Sequence, residues 1–80
     1  MNSISDFIKE RNEAIFSLDR ERIEAFAARQ GTPYPKNTSD IVFWGSVYKA
    51  ICNITNAPDD LVQTARRWLA DHNMSEQFSL

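Results

Sequence analysis

The sequence predicts an all-α fold, a small single-domain helical bundle of three to four helices. Apolar residues recur at helical spacing in several segments, and glycine or proline marks the boundaries on either side of the third segment. No segment shows the alternation typical of a strand. With 80 residues, 42% hydrophobic and 25% charged, the chain has the composition of an ordinary soluble domain. We therefore expect residues 1–80 to form one domain with a thin core.

The first predicted helix spans about residues 4–17. It opens on "SISDFIKERNEAIF", in which Ser3 and Asp6 resemble a capping box with Asp in place of the usual Glu or Gln. Its apolar positions share one face of the helix, namely Ile4, Ile8, Ile15 and Leu18.

A second helix, about 20–30, is predicted because the apolar face changes direction. The apolar residues that follow centre about 110° away from the first face, so one straight helix would bury neither set. Asp19 is a good N-cap, and the break is placed between Ser17 and Asp19. Gly31 is expected to end this helix as its C′ residue.

A proline-containing loop, "TPYPKN", follows Gly31. Each proline lacks an N–H and disfavours helix in the residue before it. The isomer of the Tyr34–Pro35 bond is left open, with trans favoured.

The third predicted helix, about 40–54, contains "FWGSVYKAI" and is capped by Thr38 or Ser39. Half of its circumference is apolar when Trp44 is placed at the centre, as expected of a central helix. Gly45 would let a neighbour approach closely, at a cost of about 1 kcal/mol in helix propensity.

The fourth predicted helix spans about residues 58–72, with Asn56 or Ala57 as its cap and Pro58 in the first turn. Asn73 is the expected stop. The tail 74–80 is too short to assign, and both fraying and docking through its apolar residues stay open. The expected core of the domain is Trp44, Val47, Ile51, Leu61, Ala65 and Trp68.

Catalytic and metal-binding chemistry is not indicated. His72 is the single histidine and is expected to be structural, at a helix end where a cation is favoured. Cys52 is expected to be a buried, inert thiol. Asp59 and Asp60 are expected to stabilise the first turn of their helix by interacting with the helix dipole. No metal-ligand motif or phosphate-binding loop occurs, so we expect no enzyme, no metal and no cofactor.

Nucleic acid is a disfavoured partner. The third and fourth helices have a helix–turn–helix layout, but Asp59 and Asp60 occupy the end that should face DNA. The net charge is −2 and no segment is strongly basic. The lone cysteine and the absence of a signal-like or membrane-spanning apolar run predict a cytoplasmic protein with no membrane partner.

The segments "FIKERNEAIFSLDRERIEAFAARQG", "VFWGSVYKAICNI", "APDDL" and "RRWL" resemble small helical proteins encoded in bacterial genomes and prophages. That group has no established activity, so the resemblance implies a context and no functional residues. It implies a small accessory protein of a bacterium or its phage. Phage proteins of this size often inhibit a host defence enzyme such as a CRISPR nuclease.

The leading functional hypothesis is binding of another protein through aromatic rings that a thin core leaves uncovered. A DNA-binding regulator and a structural or homo-oligomeric small protein are the alternatives. For any one ring, completion of the core is the competing interpretation. The proposed partner-binding residues are Phe16, Tyr34, Phe43 and Phe78.

Overall fold

The computed structural model describes residues 4–77, and this part of the chain is all-α, as predicted. The helices are α1 (Ile4–Phe16), α2 (Arg20–Arg29), α3 (Asp40–Asn53) and α4 (Asp59–Asp71). Their ends agree with the predicted ranges to within one residue. The predicted cap Ser3 and the partner-binding candidate Phe78 lie outside the described residues.

Tertiary contacts divide the chain into two units, one ending at Asn37 and the other starting at Thr38. The first unit pairs α1 with α2, and the second pairs α3 with α4. Each pair is described below by itself. The expectation of a single domain stays a prediction.

The break between α1 and α2 lies where the sequence predicts it. Leu18 has a positive φ of 53°, and its N–H donates to the Ile15 carbonyl at 3.2 Å, which ends α1. Asp19 then caps α2, because its Oδ1 accepts from the Arg22 N–H at 3.3 Å. The chain therefore changes direction within three residues.

Helices α2 and α4 both end in a motif with a positive φ. In each, the residue after the C-cap has this φ, and backbone hydrogen bonds close the last turn. In α2 that residue is Gly31, at φ 81°, and the Thr32 N–H donates to the Ala27 carbonyl at 3.0 Å. In α4 it is Asn73, at φ 56°, and the Met74 N–H donates to the Leu69 carbonyl at 2.8 Å. Both predicted stops are confirmed.

The helix starts are confirmed at α3 and corrected at α4. Ser39 caps α3, with its hydroxyl accepting from the Val42 N–H at 3.2 Å. Pro58 is the N-cap of α4 and makes no side-chain capping bond, so neither Asn56 nor Ala57 has the predicted role. Asn56 instead adopts a φ of 70° in the turn between the helices.

The loop before α3 contains no cis peptide bond, like the rest of residues 4–77. The Tyr34–Pro35 bond is therefore trans.

The buried core differs in part from the predicted one. In the first unit the buried apolar residues are Ala14, Ile23 and Phe26, and the Phe7 ring lies 5.7 Å from the Phe26 ring. In the second unit they are Phe43, Val47, Ile51, Ala65 and Leu69. Trp44, Leu61 and Trp68, expected in the core, are only half-buried.

The orientation of α3 explains the difference. Phe43, Val47 and Ile51 recur every four residues and form its buried stripe. The centre of that stripe lies about 60° from Trp44, which the sequence placed at the middle of the buried face. An apolar arc as wide as that of α3 does not determine by itself which part is covered.

Candidate protein-binding groove

Two large aliphatic side chains in the first turn of α3 lie at the surface. Ile41 is 52% exposed and Val42 is 62% exposed. The sequence places Val42 on the polar back of the helix, but includes Ile41 in the buried arc. The structure exposes both, because the buried stripe runs through Phe43.

These two residues line one end of an open groove of about 260 Å³. The groove follows two turns of α3 and has the tail after α4 as its other wall. Its lining residues are Ile41, Val42, Gly45, Ser46, Lys49 and Met74.

Gly45 permits the tail to pack directly on α3. A Cβ at this position would lie 3.1 Å from the Met74 sulfur and 3.8 Å from Cζ3 of Trp68. The first distance is shorter than an ordinary van der Waals contact, so a side chain here would displace Met74. The close approach predicted at Gly45 is therefore confirmed, and the neighbour is the Met74 side chain.

Polar contacts hold the tail in place beyond Met74. Asn53 Nδ2 donates to the Glu76 carbonyl at 2.9 Å and to the Lys49 carbonyl at 2.8 Å. The Glu76 carboxylate pairs with Arg66 Nε at 3.1 Å. This ion pair is exposed and contributes little free energy. The hydrogen bond from the Asn53 side chain to the Glu76 carbonyl fixes the tail relative to α3.

Two of the described residues that line the groove have polar side chains, Ser46 and Lys49. Ser46 uses its hydroxyl as a donor to the Phe43 carbonyl, at 2.7 Å. Lys49 forms no ion pair with any residue between 4 and 77. The described lining of the groove therefore offers apolar surface and one positive charge.

Cys52 is half-buried, whereas the sequence predicted a buried thiol. Burial raises its pKa, the negative charge of Glu76 raises it further, and Arg66 lowers it. A raised pKa leaves less of the reactive thiolate. The expectation of an unreactive thiol thus keeps a physical basis despite the partial exposure.

A row of aromatic rings connects α3 with α4. The ring centroids lie 5.8 Å apart for Trp44 and Tyr48, and 5.2 Å apart for Tyr48 and Trp68. His72 stacks on Trp68 at 3.9 Å, and its Nδ1 donates to the Trp68 carbonyl at 2.8 Å. These contacts at the C-cap of α4 agree with the structural role predicted for His72.

Of the predicted partner-binding rings, the three that the structure describes, Phe16, Tyr34 and Phe43, do not line the groove. Phe43 is fully buried and packs edge-on against Trp44 with centroids 5.0 Å apart, so its predicted exposure is wrong. Phe16 and Tyr34 are half-buried. Phe78 lies outside the described residues. No sequence signal marked the groove, because the helical angles placed Ile41 within the buried arc and Val42 on the polar back of α3.

Two further properties bear on function. The described residues contain no group of His, Cys, Asp or Glu side chains that could hold a metal ion. Within the same range, no helix has the length and apolar character needed to cross a membrane.

Comparisons with protein-family models, with curated proteins and with solved structures each give no match. The role of the groove is therefore inferred from its own chemistry.

Proposed function

We propose that this protein acts by binding another protein, with the groove on α3 as the contact surface. The exposure of Ile41 and Val42 beside a cleft carries this proposal. Apolar side chains of a partner would bury these two residues and gain about 25 cal/mol for each Å² removed from water. The partner thus covers apolar surface that the fold leaves in water.

The dimensions and polarity of the groove favour a protein over a small molecule. At about 260 Å³ it is smaller than the usual pocket of roughly 300–1,000 Å³ and is open to solvent. Such a cleft receives a few side chains and cannot enclose a cofactor.

Nucleic acid fits less well. Among the described residues that line the groove, Lys49 alone is charged, and stable binding to nucleic acid usually neutralises several phosphates. Asp59 and Asp60 are exposed at the N-terminal end of α4, where a DNA-reading helix would meet phosphates.

The resemblance to bacterial and prophage proteins supports a role as a small accessory protein. A small accessory protein can inhibit a larger protein simply by covering one of its functional surfaces, without any catalytic activity of its own. A host defence enzyme such as a CRISPR nuclease is the kind of target we propose.

Site-specific photo-crosslinking tests this function. A photoreactive amino acid replaces Val42 in the groove or, as a matched control, Gln63 on the exposed side of α4. After irradiation in bacterial cells, we expect a protein adduct from position 42 and none from position 63. Equal labelling at both positions, or adducts with nucleic acid alone, would contradict the proposal. An adduct of twice the chain mass would favour the oligomeric alternative.

A further inference from the structure

We propose that the groove receives an acidic amphipathic helix, whose carboxylate pairs with Lys49. This inference rests on the proposed function and specifies the chemistry of the partner. It follows from three features of the groove: its unmatched charge, the spacing of its lining residues and its size.

Lys49 forms no ion pair within residues 4–77. Glu76, the acidic residue of the neighbouring tail, is already paired with Arg66. Ser46 is also occupied by its bond to the Phe43 carbonyl. When a partner displaces water from this rim, the ammonium of Lys49 needs an anionic group, because burial of an unpaired charge is unfavourable.

The spacing of the lining residues sets the pattern of the partner. Ile41, Gly45 and Lys49 lie four residues apart on one side of α3, which spans about 12 Å at 1.5 Å per residue. A helix lying along this line would place apolar residues at i and i+3 or i+4 over Ile41 and against the Met74 side chain, which covers Gly45. A carboxylate about one turn further on would reach Lys49.

The size of the groove favours a protein helix over an anionic lipid. A fatty acid would also combine an apolar chain with one carboxylate. The groove is open and lies below the usual volume of a small-molecule pocket, so it would leave much of such a chain in water. A helix is wide enough to cover the exposed side chains of Ile41 and Val42 as well as the interior of the groove.

A pair of synthetic peptides tests the assignment with the full-length protein. Each is a helix of about 18 residues with leucines at i, i+4 and i+7, and the two differ in one residue after the last leucine, Glu or Lys. Binding is followed by fluorescence anisotropy of the labelled peptide. We expect the Glu peptide to bind about tenfold more tightly than the Lys peptide.

Charge reversal in the protein supplies the decisive comparison. Lys49→Glu should reverse the preference between the peptides, whereas Arg67→Glu, an equal change in net charge on the exposed side of α4, should leave it unchanged. Unchanged preference in Lys49→Glu, failure of both peptides to bind, or tighter binding of oleate at the groove would overturn the inference. If both peptides bind equally and Val42→Ser weakens both, the groove still binds protein and only the acidic assignment fails.

Discussion

Gly45 and Met74 form the contact that shapes the groove, and their coupling is measurable. Gly45→Ala gains up to about 1 kcal/mol in helix propensity, but its Cβ would crowd the Met74 sulfur at 3.1 Å. We expect these effects to offset each other in the native sequence. In a Met74→Ala background, the same substitution should stabilise the protein by about 1 kcal/mol, as measured by urea unfolding. Equal effects in both backgrounds would contradict the contact.

Cys52 should react slowly with thiol reagents, because its raised pKa reduces the thiolate fraction. Glu76→Gln removes a charge that raises this pKa and should accelerate labelling at neutral pH. Glu21→Gln, an equal change on α2, should have no effect and serves as the control. A labelling rate as fast as that of the urea-unfolded chain would contradict the burial of the sulfur.

The same pKa shift predicts a dependence of stability on pH. A thiol whose pKa is higher in the folded state favours folding below its unfolded pKa. That contribution is lost as the pH rises through the folded pKa. Cys52→Ser should therefore reduce the loss of stability on the alkaline side, measured as the unfolding free energy across the alkaline range. An identical alkaline profile in this variant would count against the shift.

At the scale of the helices, Gly31 provides a test of the α2 terminus. Its φ of 81° is disfavoured for residues with a Cβ, although no atom lies within 4 Å of the place where a Cβ would be. Gly31→Ala should therefore cost about 1 kcal/mol from backbone strain alone. Gly31→Asn should cost less, since Asn tolerates this conformation. Equal losses, measured by thermal unfolding, would indicate another cause.

The ends of the helices were predictable because local chemistry determines them. Asp19 and Ser39 accept backbone N–H bonds within their own helix starts, and Gly31 and Asn73 adopt the positive φ that ends a helix. None of these contacts depends on a distant part of the chain. Pro58 is the exception, since it replaces the expected polar cap without making a capping bond.

The buried face of α3 and the groove depend on contacts between elements, which periodicity does not describe. Half of the α3 circumference is apolar, so the pattern allowed either Trp44 or Phe43 to face the core. The groove also needs Met74, from a tail whose position follows from the turn at Asn73 and the bond between Asn53 and Glu76. Sequence reasoning identified the space at Gly45 but not the side chain that fills it.

At the scale of the whole molecule, burial is unevenly distributed. Of the eight buried apolar residues in the described part of the chain, five lie on α3 and α4. We therefore expect slower amide hydrogen exchange in α3 and α4 than in α1 and α2. Equal protection in all four helices would instead indicate one cooperative unit, in agreement with the predicted single domain.

The central functional claim is that another protein binds in the groove on α3. The substitution Val42→Ser tests this claim most directly. Val42 is 62% exposed, so this change should alter the unfolding free energy by less than about 0.5 kcal/mol. The affinity for the protein crosslinked at position 42, measured by calorimetry, should fall several-fold because the partner loses an apolar contact. The control Gln63→Ser should leave the affinity unchanged. Full affinity in Val42→Ser with unchanged stability would contradict the account.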